Sequence, residues 1–281
     1  MYIVVDVGGT NTRVAASKDG ETIADKKRFS TPKAFEEGIS QISDTIKSLA
    51  GKDTVEGVAV GIPGTIDHRT GKTIIVPNIP TWNDQNVGEM LESSLHIPVT
   101  CANDSELAAL GEAVFGAGKD HRVVGYLTVS TGIGGALVVD HKLVPRTQNT
   151  EPGHTTIDIN SDIADGSGRK GTFETLASGS AFTKRFGLRA DECTDPEIWR
   201  MHTQVLGQGV VNVILMWSPE ILVIGGGLTQ GGDFLFEPLR KFVKDNLRLF
   251  PPPPIVPAEL GDDVGLFGGL ALLSASAKHE A

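Results

Sequence analysis

Cysteine is almost missing from this chain, which carries only Cys101 and Cys193 in 281 residues. Two thiols so far apart build neither a disulfide framework nor a zinc ribbon, and their scarcity fits a reducing compartment. Positive charge is also short: 25 Lys and Arg stand against 35 Asp and Glu, a formal charge of -10. Such a chain has no basic field for duplex DNA or an anionic membrane. No stretch approaches the roughly 18 apolar residues of a membrane span, and the N-terminus MYIVVDVGGT lacks the basic flank of a signal peptide. The expectation is a cytoplasmic protein with neither nucleic acid nor membrane as partner. The glycosylation triplet Asn103-Asp104-Ser105 then has no route to a glycan. A Gly-x-x-x-x-Gly-Lys-Ser/Thr motif is absent, which excludes a P-loop enzyme. The Gly-x-Gly-x-x-Gly at Gly166, Gly168 and Gly171 follows a polar loop rather than a buried strand, so it is no dinucleotide signal.

Glycine, by contrast, is abundant at 34 of 281, about 12% against an average of about 7%. The length predicts two domains. Residues 2–7, 13–18 and 21–29 read as an antiparallel meander with glycine turns, followed by a helical period over 33–49 and a strand at 55–61. Helices are predicted at 85–96 and about 105–115, around a short strand at 98–102. A second meander opens at 123–130 and continues into 136–140, so the two halves begin alike. A helix over 203–217, a strand at 221–224 and an apolar C-terminal helix over 265–277 complete the pattern.

Three glycine segments carry the chemistry. Asp6-Val7-Gly8-Gly9-Thr10-Asn11 joins two strands; glycines at a hairpin tip let amides approach an anion, and a carboxylate at the strand end can hold a hydrated Mg²⁺. Ser130-Thr131-Gly132-Ile133-Gly134-Gly135 repeats the device in the second half. Gly225-Gly226-Gly227, after a buried strand, suits the approach of a flat base such as adenine or a plain strand-to-helix turn. Asp104, at the predicted start of a helix, reads either as an N-cap, a role Asn103 can also fill, or as a general base.

The ordered segments DVGGTN (6–11), GIPGTID (61–67), PN (77–78), ND (103–104), STGIGG (130–135), EPGH (151–154), GRKGTFE (168–174) and VIGGG (223–227) resemble the ROK family of repressors and sugar kinases, within the actin-like, hexokinase-type ATPases. The resemblance implies an α/β fold of two actin-like (ribonuclease H-like) domains with a central cleft. The boundaries expected are 1–115, with the C-terminal helix 266–281 packing back on it, and 116–265. It implies an enzyme that phosphorylates a hexose hydroxyl with ATP and Mg²⁺, of glucokinase type, acting as a homodimer. Asp104 is then the catalytic base, and Gly64, Asn78, Asn103, Asp104, Glu151, His154 and Glu174 contact the sugar. Asp6, Gly8, Gly9, Thr10, Asn11, Thr131, Gly132, Gly134, Gly226 and Gly227 match the nucleotide side, with Asp6 near Mg²⁺ through water. His154 taken alone reads as a structural histidine.

One departure stands out. Typical members carry Cys-x-Cys-Gly-x-x-Gly-Cys-x-Glu, which with the His of the preceding motif forms a structural zinc site. Here the cysteine positions hold Asp165, Ser167 and Thr172, oxygen donors that cannot replace thiolates, so no structural zinc is expected. Asp165 is free to hydrogen-bond His154 or Arg169 instead. Other readings are a kinase for fructose, mannose or an N-acetylhexosamine, polyphosphate as donor, and a catalytically silent sugar-binding regulator. A DNA-binding repressor is disfavoured because the chain opens directly on the first strand, without a helix-turn-helix module.

Overall fold

The computed structural model describes residues 1–277. The chain divides into two compact units: unit 1 holds Met1–Gly116, His141–Asn149 and the stretch from Leu260 onward, and unit 2 holds Ala117–Asp140 and Thr150–Glu259. Residues 141–149 and 260–265, expected in the second domain, thus count with the first. The C-terminal helix begins at Val264 rather than 266, and residues 278–281 of the expected span lie outside the described residues.

In unit 1, strands β1 (Tyr2–Val7), β2 (Asn11–Ser17), β3 (Asp25–Ser30), β4 (Gly57–Ile62) and β7 (Val99–Asn103) form a sheet in the order β3-β2-β1-β4-β7. β1 to β3 are antiparallel, whereas β1, β4 and β7 run parallel. A small hairpin of β5 (Thr65–Asp67) and β6 (Lys72–Ile75) stands apart. Ile3, Val4, Val5 and Val7 of β1 are all buried, an apolar run interrupted only by Asp6 and of the kind required when both sheet faces are covered. Helices α1 (Phe35–Ala50) and α2 (Val87–Leu95) cover one face through Ile39, Ile42, Ile46, Val87 and Leu91. On the other, Leu266, Leu270 and Leu273 of α8 (Val264–Ala277) pack on Val4, Ala15 and Ala59.

Helix α3 (Asp104–Val114) lies against α8 at backbone distance. A Cβ on Gly268 would sit 1.8 Å from the Leu107 carbonyl oxygen, and one on Gly111 2.5 Å from that of Val264. Glycine alone permits this approach, which fixes the start of α3 relative to the sheet. The two-residue strand β10 (Lys142–Leu143) belongs to this unit.

Unit 2 repeats the plan. β8 (Val123–Val129) pairs antiparallel with β9 (Ile133–Val139), while β8, β11 (Ile221–Gly225) and β12 (Ile255–Pro257) are parallel, in the order β9-β8-β11-β12. This matches β2-β1-β4-β7 of unit 1 in order and direction, the actin-like arrangement. Helices α4 (Phe173–Ala177), α5 (Gly179–Phe186), α6 (Pro196–Trp217) and α7 (Asp233–Asn246) enclose a core around Phe173, Phe182, Trp199, Leu206, Ile224 and Leu239. Helix α6 starts seven residues before the predicted 203, where the Asp195 side chain accepts from the Glu197 amide at 2.8 Å and Pro196 opens the first turn. Helix α7 carries no clear sequence signal because Pro238 lies inside it and glycines precede it.

Candidate active site

The candidate site residues of unit 1 gather at the C-terminal ends of β1, β4 and β7. The β1–β2 tip closes through its own backbone: the Gly8 amide donates to the Asn11 carbonyl at 2.9 Å, and the Thr31 amide donates to that of Thr10 at 2.9 Å. Thr31 Oγ1 donates to the Gly8 carbonyl at 2.7 Å, and Lys33 Nζ to that of Gly9 at 3.0 Å. A Cβ on Gly9 would lie 2.6 Å from the Asn78 Cβ, so Asn78 and Gly9 touch. Thr10 is exposed at the tip.

Asp6 sits beneath this tip with its side chain 15% exposed and its Oδ2 3.4 Å from Arg13 Nε. Burial pushes its carboxyl up, the Arg13 charge works against that, and Asp263 adds to it. Among the described residues no group of three or more His, Cys, Asp or Glu could hold a metal by itself. A lone carboxylate nevertheless fits Mg²⁺, which keeps most of its waters and takes further oxygens from substrate phosphates.

The start of α3 shows which residue caps the helix. Asn103 is the N-cap: its Oδ1 accepts from the Ser105 amide at 2.9 Å, and the Glu106 side chain reaches back to the Asn103 amide at 3.1 Å, closing a capping box. Asn103 Nδ2 donates to the Gly64 carbonyl at 2.7 Å, and the side chain is buried, so it has one amide hydrogen left to offer a ligand. Gly64 has φ 86°, and a Cβ there would meet the Ile75 carbonyl oxygen at 2.0 Å. Asp104 is the first helical residue and is exposed, with Oδ1 accepting from the Ser105 amide at 2.8 Å. The carboxylate is thereby placed at the helix N-terminus without being needed as the cap.

Behind it lies a network that the motifs do not announce. Glu106 is fully buried, with Oε1 accepting from Arg146 Nε at 2.7 Å and Nη2 at 2.5 Å. His68 Nε2 lies 3.1 Å from the same oxygen but off hydrogen-bond geometry. Burial alone would raise the Glu106 carboxyl, yet His68 and the Arg146 charge hold it below the usual range. The readable signal was Asn103-x-x-Glu106, a capping-box spacing. Nothing local pointed to Arg146, 40 residues away.

In unit 2 the β8–β9 tip is held differently. The Ser130 amide donates to the Gly132 carbonyl at 2.9 Å, and the Gly179 amide to that of Ser130 at 2.7 Å. Glu174, from the first turn of α4, accepts from the Ile133 amide at 2.8 Å, and a Cβ on Gly132 would lie 2.3 Å from Glu174 Oε2. Glu174 is therefore bound to the β8–β9 tip through one oxygen. Thr131 is exposed and Gly134 half-buried. Gly226, at φ 90°, packs so that a Cβ would meet the Val129 carbonyl oxygen at 2.6 Å, and Gly227 faces Ser130 Oγ. A cavity of about 590 Å³ lies here, lined by Ser130, Thr131, Gly227, Thr183, Lys184 and Arg189 among others. Lys184 and Arg189 have no motif to mark them.

Glu151 precedes and His154 ends a short 3-10 turn, with His154 Nε2 4.0 Å from Glu151 Oε2. His154 Nδ1 lies 2.8 Å from Asp165 Oδ2. Burial acts to lower the His154 imidazole, but the Asp165 hydrogen bond and the charges of Glu151, Glu174 and Asp165 prevail and raise it.

The model of the family described as ROK matches residues 2–276. The glucokinase of Streptomyces coelicolor is 26% identical over 97% of each chain. Among solved structures, the ROK hexokinase of Thermus thermophilus superposes with a TM-score of 0.83 at 29% identity, covering 98% of this chain and 99% of that one. A ROK glucokinase of Streptomyces griseus, in complex with glucose and AMPPNP, gives 0.82 at 25% identity over 96% and 98%.

Proposed function

The chain belongs to the ROK family, and from that premise we propose that it is a kinase transferring the γ-phosphoryl group of ATP to a hexose hydroxyl, with glucose the first substrate to test. The observation that carries this reading is the exposed Asp104 carboxylate at the start of α3, where Asn103 supplies the N-cap. Phosphoryl transfer asks mainly for positioning and charge neutralisation, plus one carboxylate to take the hydroxyl proton. Asp104 accepts that proton as the sugar oxygen bonds to the γ-phosphorus, and the bond from phosphorus to the β–γ bridging oxygen breaks, leaving ADP. Gly64, Asn78, Asn103, Glu151, His154 and Glu174 hold the sugar. The two tips, Gly8–Asn11 and Thr131–Gly134, receive the phosphates through amides other than those of Gly8 and Ile133, which bond Asn11 and Glu174, and the cavity beside Gly226 and Gly227 receives the nucleoside. Asp6 would hold Mg²⁺ through its waters, and the ion would supply neutralisation of phosphate charge.

The test is product identification. Purified protein, Mg²⁺-ATP and single hexoses are incubated, and the products are analysed by phosphorus and carbon NMR. A sugar phosphate from glucose supports the reading. Saturable sugar binding with no phosphorylated product from any hexose or N-acetylhexosamine would replace it with the silent sugar-binding regulator.

A further inference from the structure

The family's zinc motif is replaced here, and the replacements do not fit a zinc ion. Thr172 is fully buried and caps α4, its Oγ1 accepting from the Thr175 amide at 3.3 Å and lying 3.1 Å from Thr175 Oγ1. Ser167 Oγ donates to Asp165 Oδ1 at 2.6 Å. These oxygens are used by each other or by the backbone rather than aimed at a common centre, and none is a thiolate.

What occupies the middle of the loop is the Asp165 carboxylate, only 1% exposed. Its Oδ1 accepts from the Ser167 amide at 2.9 Å, the Ser167 hydroxyl at 2.6 Å and the Arg169 amide at 3.0 Å. Its Oδ2 faces His154 Nδ1 at 2.8 Å. The loop closes around this hub by backbone bonds from the Asp165 amide to the Arg169 carbonyl at 2.9 Å and from Gly171 to Ile163 at 2.9 Å. Gly171, at φ 62°, lies so close to the Asp158 carbonyl that a Cβ would sit 1.8 Å from its oxygen. Beyond Gly171 the chain passes directly into Thr172 and α4, which carries Glu174.

An ionised carboxylate can only accept hydrogen bonds, so the proton shared with Asp165 resides on His154 Nδ1. A metal at Nδ1 would impose the reverse, taking the Nδ1 lone pair and leaving the proton on Nε2. We propose that Asp165 is the positioning residue that stands in for the family's zinc, tying the 161–171 loop to His154 and fixing the imidazole with Nδ1 protonated and Nε2 turned to the sugar. This rests on the reading of His154 as a sugar contact. Nε2 is then the nitrogen that carries a proton or lacks one according to pH, and the carboxylates around the ring are Glu151, Asp165 and Glu174.

Asp165→Asn separates the two halves of the role. Three donors converge on Oδ1, so the amide oxygen stays there and the amide NH₂ faces His154 Nδ1, which must become the acceptor. The ring proton moves to Nε2 while the loop keeps its bonds. Nitrogen NMR of the histidines, with His154→Gln for assignment, reads this directly in the full chain without any substrate. The expected result is a protonated Nδ1 signal in the wild type, shifted to protonated Nε2 in neutral Asp165→Asn and unchanged in Ser167→Ala. The Michaelis constant for sugar should rise roughly 5- to 30-fold in Asp165→Asn, with turnover at saturating sugar changed far less. An Nδ1 without its proton in the wild type, or one tightly bound zinc per chain by elemental analysis, would overturn the proposal. A switched ring with an unchanged Michaelis constant would overturn its sugar-facing half and remove His154 from the sugar site. Failure of the kinase reading shows separately, as absence of product with the NMR signature intact.

Discussion

The two glycine hairpins occupy the same place in units built to the same plan, yet they are supported by different means. The β1–β2 tip is closed by its own backbone and by Thr31 and Lys33, and it keeps a carboxylate, Asp6, beneath it. The β8–β9 tip has no acid of its own and leans on Glu174, a side chain from α4. Unit 1 therefore carries the charged groups fit for chemistry, Asp6 and Asp104, whereas unit 2 carries a loop whose position depends on a residue also proposed to meet the sugar. Changes in unit 1 should fall on turnover or on the stability of its acids. Those in unit 2 should fall on substrate affinity.

The sharpest break of that contrast is Asp104→Asn. It should lower turnover by roughly 10² to 10⁴ with a much smaller change in the Michaelis constant for sugar. Because Asn103 supplies the cap, thermal melting should be unaltered. A folded Asp104→Asn protein with near-normal turnover would refute the base and remove unit 1 from the chemical step.

Arg146→Ala probes what holds Asp104 in place. Removing one partner of a buried pair leaves Glu106 uncompensated, and the loss of unfolding free energy at pH 7 should be about 3 kcal/mol. In the wild type the folded pKa of Glu106 is depressed, so its contribution is full above the unfolded value and fades as pH falls through the folded one. The deficit of Arg146→Ala should accordingly shrink in acid, as Glu106 becomes neutral. Chemical denaturation at pH 7 and pH 4 measures both, and a pH-independent deficit would show that packing, not charge, ties Arg146 to α3.

Glu174→Ala is the counterpart in unit 2. With the Ile133 amide released, the Michaelis constants for ATP and sugar should both rise about tenfold, more than turnover falls. A turnover effect as large as that of Asp104→Asn would erase the proposed division between the units.

Much of this was legible in the sequence because it is local. β1, α1, α3 and the hairpin glycines follow from apolar period and turn chemistry, and Asn103 was one of the two residues able to cap α3. Long-range partners were not legible. Arg146 meets Glu106 only because residues 141–149 return to unit 1, and Glu174 meets Ile133 only because α4 packs beside β9. Helix α7 was hidden by Pro238, which its context tolerates against the intrinsic preference. The bond from Asp165 to His154 could be suspected from the missing cysteines, but its companions on Oδ1 belong to the backbone and leave no trace in residue identity.

The smallest effect separates the two acids of unit 1. Asp6 and Glu106 are both withdrawn from water, but their carboxyls move in opposite directions. Arg146 meets Glu106 at hydrogen-bond distance, whereas Arg13 stays 3.4 Å from Asp6 and also donates to the Asp262 carbonyl. A carboxyl raised on folding costs stability wherever it must be ionised, above its folded pKa, and the cost vanishes below the unfolded value. Asp6→Asn removes the charge with little change of shape. It should melt higher than the wild type at pH 7, by roughly 2–4 °C if the cost is about 1 kcal/mol, and the gap should close as pH falls through the carboxylate range. The same variant should lose most of its activity with Mg²⁺-ATP, since the site proposed for the ion's waters loses its charge. A melting point lowered at pH 7 would mean that the Arg13 contact outweighs desolvation, and Asp6 would then be a structural partner of Arg13 rather than an acid held at a cost for the metal.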